Sequence, residues 1–532
     1  MKRLLLVLCL AFPGGAQPPV VDTEGLRNSV KTLADDAFQG RAPGLPGGEK
    51  AAEYIAEQFK HHGLEPAGED GSYFQPVPLV GVSTLPTTTF RLITSKGVQD
   101  LRLWDDYTVN NQKLRPLEEI DAPIVFVGFG IHAPQYGWDD YKQVDLHGKV
   151  ALLFVNEPTS EKDDFFRGRA LTYAGRWTYK YEETARRGAL ATLIIHRTDL
   201  AAYPWQVVRN SWSSEKAYLE DEAPALQAAA WLQLSVAQQL LAECGHDLDQ
   251  LYKAAQSRDF QPIQLPARVQ AKVVSEVRHF QSRNVLARRP GTDLSEEAVI
   301  YSAHYDHLGI RPDQTGDNIY NGALDNASGC AILLELSRIF AGLAVAPRRT
   351  VLFIATTAEE QGLLGAAYLA LHPPLPVGSL SLDLNFDMVP PLGRPEEITA
   401  VGSERTTFGL ALEEIAHSLG LTVRPDAHPE AGLYYRMDHF SLAQRGVPGF
   451  SVGEGLTFAG HPPDWGQKFA ADYTAHHYHQ PSDEYHAEWD FSGLSTFVQF
   501  AFQLGLRAAQ QEKLVQWLPG DEFEAARLKS LP

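Results

Sequence analysis

Imidazole and carboxylate side chains follow three apolar, strand-like segments in the C-terminal half of the chain. In chain order they are His304 and Asp306 after 298–302, Glu359 and Glu360 after 350–355, and Asp387 after 380–386. The carboxyl ends of parallel strands meet at one edge of a sheet, so we expect these side chains to lie close together. Nitrogen and oxygen ligands without sulfur suit zinc, although manganese or cobalt can substitute.

Each of these residues taken alone also has an ordinary structural role. Asp325 precedes the helical pattern that begins near residue 331 and would usually be a helix N-cap. A single histidine such as His304 is more often a core residue whose ring nitrogens are hydrogen-bonded. The pair Glu359–Glu360 alone is typical of a solvated loop. Their coincidence at successive strand ends of one domain favours a metal site over four unrelated structural roles.

The pattern around these residues alternates strand, loop and helix after about residue 280. The predicted helix 331–340 carries apolar residues at helical spacing. This alternation predicts an α/β fold with a doubly wound, mostly parallel sheet. The predicted strands are Ala298–Ser302, Thr350–Ala355, Leu380–Phe386, Ile398–Val401 and Gly449–Val452. Between about 100 and 265 the sequence has more short strand-like runs, which indicates a separate β-rich unit.

Length and composition limit the classes of function. A chain of 532 residues suggests two or three domains. The formal net charge of −20 repels phosphate backbones, so we expect no nucleic-acid partner. Beyond the N-terminus the sequence has no run of about 20 apolar residues, so we expect no membrane-spanning helix. Only Cys9, Cys244 and Cys330 are present, too few for a disulfide framework or a thiolate metal site.

The N-terminus has the pattern of a secretory signal peptide over residues 1–16. Lys2 and Arg3 precede a short apolar run, and small residues stand before Gln17. We therefore expect export to the periplasm or the extracellular space. Leu8 precedes Cys9 where a lipoprotein signal has a small residue, so we expect no lipid anchor.

Five motifs resemble the co-catalytic zinc aminopeptidase family, which includes the glutamate carboxypeptidase relatives. They are, in family order, 303–309 (AHYDHLG), 321–329 (NGALDNASG), 359–362 (EEQG), 385–388 (NFDM) and 478–483 (YHQPSD). The segments 125–130 and 145–150 resemble, more weakly, a protease-associated (PA) domain. The resemblance divides the chain into a signal peptide (1–16), a first peptidase part (17–99), an inserted PA domain (100–265) and the catalytic zinc peptidase domain (266–532).

The resemblance implies two zinc ions per chain, bridged by Asp325. The implied ligands are His304, Asp325 and Asp387 for one ion, and Asp325, Glu360 and His479 for the other. It implies Glu359 as the general base and a cis peptide bond at Asp325–Asn326.

Supporting roles follow from the same resemblance. Asp306 would accept a hydrogen bond from His304 and fix the tautomer of that ring. Tyr478 or Tyr434 would donate to the oxyanion, and the sequence does not choose between them. His307 has equal claims to substrate contact and to ordinary surface. Met437 precedes Asp438-His439 at the position where the family often has serine. The sequence therefore does not predict the contacts around Asp438, although no proposed metal ligand changes.

Four readings of the function have to be compared. An aminopeptidase would release N-terminal residues from peptide substrates. A carboxypeptidase or dipeptidase would need a basic pocket for a terminal carboxylate, for which Arg436 is a candidate. A non-catalytic, receptor-like binding protein would be expected to have lost ligands or the base, and a cyclising acyltransferase on this fold would use one zinc. Side-chain preference and oligomeric state are open.

Overall fold

The computed structural model describes residues 19–158, 166–220, 226–312 and 314–531. The predicted signal peptide lies outside these residues, so export stays a prediction. The strands of the described chain are β1 (Glu65–Pro66), β2 (Phe74–Thr84), β3 (Thr89–Thr94), β4 (Gly97–Asp100), β5 (Tyr107–Asn110), β6 (Leu117–Phe126), β7 (His132–Ala133), β8 (Trp138–Asp139), β9 (Val150–Phe154), β10 (Ala191–Ile195), β11 (Lys216–Leu219), β12 (Ala228–Leu232), β13 (Ile263–Arg289), β14 (Leu294–His304), β15 (Gly309–Ile310), β16 (Ile319–Tyr320), β17 (Arg349–Thr356), β18 (Leu380–Asn385), β19 (Glu397–Val401), β20 (Thr422–Arg424) and β21 (Gly449–Glu454).

The helices lie mostly between the strands of the C-terminal half and at the N-terminus. They are α1 (Thr23–Leu33), α2 (Pro46–His62), α3 (Trp177–Arg186), α4 (Thr198–Ala201), α5 (Trp205–Trp212), α6 (Leu234–Glu243), α7 (Leu248–Ala255), α8 (Ser328–Ala341), α9 (Leu364–Leu371), α10 (Gly409–Ser418), α11 (His439–Ala443), α12 (Trp465–His476), α13 (Leu494–Gln510) and α14 (Glu524–Ser530). Within the described ranges, none of these helices combines the length and apolar character that crossing a membrane requires.

The first sheet has the strand order β13–β17–β14–β18–β21–β19–β20. Neighbours from β17 to β21 are parallel, whereas β13 runs antiparallel to β17 and β19 antiparallel to β21. Helices cover the sheet, and the predicted α/β class with a mostly parallel sheet is confirmed. All five predicted strands are present, each within a few residues of its expected bounds.

The helix α8 is buried on nearly all sides, although its Arg338 is partly exposed. Its predicted apolar face, which includes Leu333, Leu336 and Phe340, is fully buried, and Cys330 and Ser337 on other faces are buried as well. A helix that is apolar on most sides belongs in a core, and here it contacts α1 and α2 as well as the sheet strands β14 and β17. The N-terminal helices therefore complete the core under the first sheet.

A second sheet lies in the middle of the chain and contains β3–β6, β9, β10, β12 and the first half of β13. It has its own apolar core of residues between Phe90 and Val273. We call residues 90–273 the inserted unit. The strand β13 continues out of this sheet, pairs with β2 over 275–285 and then with β17 of the first sheet. The exact domain boundaries and the PA assignment stay predictions.

Arg41 anchors the loops that lead to the strand ends. The side chain is fully buried, and its guanidinium donates to the main-chain carbonyl oxygens of Leu33, Tyr305, Asn321 and Gly322 at 2.5 to 2.9 Å. Buried carbonyl groups need such donors, because an unpaired one is costly. This one side chain therefore fixes the turn after β14 against the segment before α8.

Candidate active site

The chain brings the predicted metal ligands together at the carboxyl edge of the first sheet. His304 is the last residue of β14, and Asp387 lies two residues beyond β18. The side-chain nitrogen Nε2 of His304 is 3.4 Å from Oδ1 of Asp325 and 3.4 Å from Oδ1 of Asp387. These three groups lie close enough together to bind a single metal ion.

The second group of side chains faces the other oxygen of Asp325. The nitrogen Nε2 of His479 is 3.3 Å from Oδ2 of Asp325 and 3.0 Å from Oε2 of Glu360. His479 lies three residues beyond α12 and is buried. Asp325 therefore presents one carboxylate oxygen to each histidine, as a carboxylate that bridges two cations would.

His307 is a further member of this second group. It is fully buried, and its Nδ1 lies 2.7 Å from Oε1 of Glu360. Its ring packs edge-on against that of His479 at 5.7 Å between centroids. With Asp325 and Glu360 it forms a second set of groups able to hold an ion. The sequence left His307 between substrate contact and surface, and surface exposure is wrong.

Asp325 is held by hydrogen bonds to its main chain. The carboxylate of Asp483 accepts from the amides of Leu324 and Asp325 at 2.9 and 3.0 Å, and it also accepts from the hydroxyl of Tyr473 at 2.9 Å. The peptide bond between Asp325 and Asn326 is cis, as the resemblance implied. The last motif of the chain therefore supplies both His479 and the acceptor that orients Asp325.

Asp306 has two contacts in the site. Its main-chain carbonyl accepts the hydrogen bond from Nδ1 of His304 at 3.2 Å, while its nearest carboxylate oxygen is 3.9 Å away. The carboxylate instead accepts from the amides of Glu359 and Glu360 at 3.0 and 3.4 Å. Burial raises the pKa of Asp306 to about 7. The residue thus orients the His304 ring through its carbonyl and the glutamate pair through its carboxyl group.

Glu359 lies beside the two groups without joining either. Its Oε2 is 3.9 Å from Nε2 of His304, and its side chain is 12% exposed, so it reaches the cavity. Burial raises the pKa of Glu359 well above its usual range; the charge on His304 opposes this shift, and those on Glu360 and Asp387 add to it. A carboxyl group held in this way can exchange protons with a bound substrate.

The donor set fits a pair of divalent cations. Asp325, Glu360 and Asp387 are all buried side chains, and among the described residues none of them forms an ion pair with lysine or arginine. Buried carboxylates require positive partners, and the imidazoles of His304 and His479 that face them would be neutral when bound to a metal ion. Zinc in proteins is commonly bound by histidine nitrogens and carboxylate oxygens, as in this set of side chains.

The two tyrosines have different positions. The ring of Tyr478 lies 4.0 Å from that of His479, and its hydroxyl accepts from Nη2 of Arg436 at 3.2 Å. Tyr478 lines the same cavity as Glu359. Tyr434 is instead buried in an aromatic cluster, and its hydroxyl donates to the carbonyl oxygen of Gly449 at 3.2 Å. Tyr434 is therefore not placed to meet a substrate, and of the two candidates Tyr478 remains.

The inserted unit forms one wall of this cavity. Arg176, Tyr203 and Lys216 line it together with Glu359 and Arg436. Nε of Arg176 has no hydrogen-bond partner among the described residues. Burial and the nearby charge of Arg436 lower the pKa of Arg176 to about 10. The sequence did not single out Arg176, because no local pattern links it to motifs more than a hundred residues away.

The predicted metal ligands of this site lie within a segment that is similar to known peptidases. Residues 284–502 match the model of peptidase family M28. An aminopeptidase from Aneurinibacillus sp. strain AM-1 has a similar fold, with a TM-score of 0.54 and 21% identity over 94% of this chain and 97% of that chain. A probable zinc metalloprotease of Pyrenophora teres f. teres (strain 0-1) is 41% identical over 106 residues, which are 20% of this chain and 22% of that protein.

A second curated relative is a vacuolar membrane protease of Candida dubliniensis. It is 39% identical over 99 residues, which are 19% of this chain and 10% of that protein. This chain thus spans about a fifth or less of the length of these curated relatives.

Proposed function

We propose, since residues 284–502 match the model of peptidase family M28, that this chain is a zinc-dependent exopeptidase that removes N-terminal residues from peptides. The observation that carries the proposal is the placement of Asp325 between His304 and His479, with Glu359 beside them. The relative described as a zinc metalloprotease supports zinc as the metal. We extend the proposal to an exported enzyme on the basis of the N-terminal pattern.

The residues that would hold two zinc ions are those of the two groups. One ion would be held by His304, Asp325 and Asp387, and the other by Asp325, Glu360 and His479. Bound zinc supplies polarisation of the scissile carbonyl and acidification of a bound water.

The remaining chemistry belongs to the side chains of the chain itself. Glu359 accepts a proton from the attacking water and delivers it to the nitrogen of the leaving amine as the C–N bond breaks. The hydroxyl of Tyr478 donates to the oxygen of the former carbonyl, where negative charge develops. Asp306 holds the main chain of Glu359 in place during both transfers.

The proposal predicts metal-dependent release of N-terminal residues. Purified protein loaded with zinc is expected to hydrolyse aminoacyl p-nitroanilides and short peptides with a free α-amine. Incubation with a chelator should abolish this turnover, and added zinc should restore it, because the carboxylate cluster needs the cations. N-acetylated versions of the same substrates are the control and should remain intact. Undiminished turnover by demetallated protein would exclude a metallopeptidase.

A second candidate function is supported by the two arginines in the cavity. A carboxypeptidase or dipeptidase needs cationic groups for a terminal carboxylate, and guanidinium groups bind carboxylates well. Arg176 comes from the inserted unit and Arg436 from the catalytic part, and both line the cavity with Glu359. A peptide with a carboxylate close to its scissile bond is therefore a favoured substrate under this candidate.

The two candidates differ in their response to arginine replacement. Under the second, Arg176→Gln and Arg436→Gln should each lower kcat/KM for a dipeptide by about 10- to 100-fold, the worth of a charged hydrogen bond. The dipeptide amide, which lacks the carboxylate, should be hydrolysed as before. Arg209→Gln, an exposed arginine of the inserted unit, is the matched control. Equal losses on the dipeptide and its amide would reject a carboxylate pocket and leave the aminopeptidase.

A receptor-like protein without catalysis is the least supported reading. Such a protein has no need to keep a general base, and here Glu359 stays within 3.9 Å of His304. The turnover assay above decides this alternative as well.

A further inference from the structure

The inserted unit contacts the predicted metal ligands directly. The segment from α5 through β11, residues 205–219, lies against His479 and Glu360. We call it the α5–β11 segment. Its helix α5 belongs to a different apolar core from the strands that carry the site, since Val208 and Trp212 pack in the core around Trp231, whereas β11 pairs with β2. Two separate parts of the chain therefore meet at one half of the site.

Ser211 contacts the far nitrogen of His479. Its hydroxyl oxygen lies 2.8 Å from Nδ1, while Nε2 of the same ring faces Asp325 and Glu360. A histidine that binds a metal through Nε2 carries its proton on Nδ1, so Nδ1 must donate to a neighbour. The hydroxyl of Ser211 is the acceptor that this tautomer requires.

Asn210 fixes the main chain around the same histidine. Its Nδ2 donates to the carbonyl oxygen of His479 at 2.9 Å and to Oε1 of Gln480 at 3.1 Å. Arg311, on the catalytic side, donates in turn to the carbonyl oxygen of Asn210 and to the hydroxyl of Ser213. The end of α5 is thus hydrogen-bonded to the segment of His479 on one side and to Arg311 on the other.

The same segment also holds the loop of Glu360. Nζ of Lys216 donates to the carbonyl oxygen of Glu360 at 3.1 Å, and the amide of Ala217 donates to Oε1 of Gln361 at 3.2 Å. Lys216 is buried, and it approaches the main chain of Glu360 rather than its carboxylate. The carboxylate therefore stays available to His307, His479 and a cation.

Among the described residues, the inserted unit makes no such contact with the other half of the site. Nδ1 of His304 donates to the carbonyl oxygen of Asp306, which lies only two positions along the same turn. Asp387 follows β18 within the same sheet. The two halves thus differ in what orients their histidines: a local carbonyl for His304 and a hydroxyl of the inserted unit for His479.

We propose that Ser211 is a positioning residue for His479, and that through it the inserted unit sets the zinc affinity of the Asp325–Glu360–His479 half of the site. The inference rests on the proposed function, since it takes that half as a zinc site. It makes the inserted unit a part of the metal centre and assigns it a role beyond shaping the cavity.

The test is a zinc titration of the full chain after metal removal, in competition with a chromophoric chelator. In Ser211→Ala one zinc ion should bind as in the unaltered protein and the other about 10- to 100-fold more weakly, the usual effect of losing such a partner. Ser211→Thr keeps the hydroxyl and should restore the affinity. Ser214→Ala is the matched control, because among the described residues the Ser214 hydroxyl donates to the carbonyl oxygen of Ser211 and to no predicted metal ligand.

Three outcomes overturn the inference. The first is unchanged affinity for both ions in Ser211→Ala, and the second is an equal loss in Ser214→Ala. The third is a weakening of both ions together with a lower melting temperature of the metal-free protein, which indicates general damage to the fold.

The zinc titration also separates this inference from the proposed function. It needs no peptide substrate, so a chain that binds two zinc ions without hydrolysing peptides fails the proposed function while the Ser211 comparison still decides the inference. A chain that binds no second zinc ion contradicts both. In an active chain, excess zinc should restore the turnover of Ser211→Ala, which a change in substrate contacts would not allow.

Discussion

Replacing Glu359 by Gln is expected to lower kcat by about 100- to 10,000-fold while leaving two zinc ions bound. The amide keeps the size and shape of the side chain but cannot accept the proton of the attacking water. Glu359 stands 3.9 Å from His304 and outside both ligand groups, so metal binding does not depend on it. The measurement is steady-state hydrolysis of an aminoacyl amide, with zinc content determined on the same sample.

The matched control for this change is Glu57→Gln, on the exposed side of α2. It should leave both kcat and zinc content as they are. A Glu359→Gln protein with normal kcat would remove Glu359 from the mechanism. A protein that lost zinc together with activity would instead make Glu359 a ligand, and the assignment of the adjacent Glu360 would then have to be revised.

Replacing Asp325 by Ala is expected to have the largest effect of any single change. Its two oxygens face His304 and His479 at 3.4 and 3.3 Å, so its loss removes a ligand from both halves at once. We expect weaker binding of both zinc ions and a fall in kcat/KM of more than about 10,000-fold, since the activated water and the base act together. The measurements are a zinc titration and peptide hydrolysis at saturating zinc.

Asp249→Ala, at an exposed position of α7, controls for the loss of a carboxylate elsewhere. If Asp325→Ala kept one zinc ion at full affinity, Asp325 would serve a single ion and the bridging arrangement would be wrong. The contrast with Ser211→Ala is direct, because that change should affect one ion only.

The C-terminal half of the fold could be predicted from the sequence because its elements are long and periodic. The strand predicted at 350–355 is observed as Arg349–Thr356, and the helix predicted at 331–340 as Ser328–Ala341. The position of the candidate site follows from the same reasoning, since parallel strands bring their carboxyl ends to one edge. His304 and Asp387, 83 positions apart, meet there at 3.4 Å.

The contacts that the sequence did not reveal are those made between separate parts of the chain. Ser211 and His479 are 268 positions apart, and a serine near the end of a short helix carries no sign of its partner. Arg176 is hidden for the same reason. His307 shows a different limit, because an ionisable residue within a motif can be predicted as exposed or buried until its partner, here Glu360, is known.

The path of β13 has a consequence for the order in which the protein can fold as it is synthesised. Thr88, immediately before β3, donates a hydrogen bond to the carbonyl oxygen of Val274 in β13, which lies 186 positions later. At about 5–20 residues per second the ribosome needs roughly 10 to 40 seconds to cover that distance. The apolar faces of α1 and α2 remain uncovered for at least this long, because the sheet strands β14 and β17 follow Val274 in the chain. Most of the inserted unit has emerged by then. Chaperone binding to the nascent chain should therefore concentrate on these first helices.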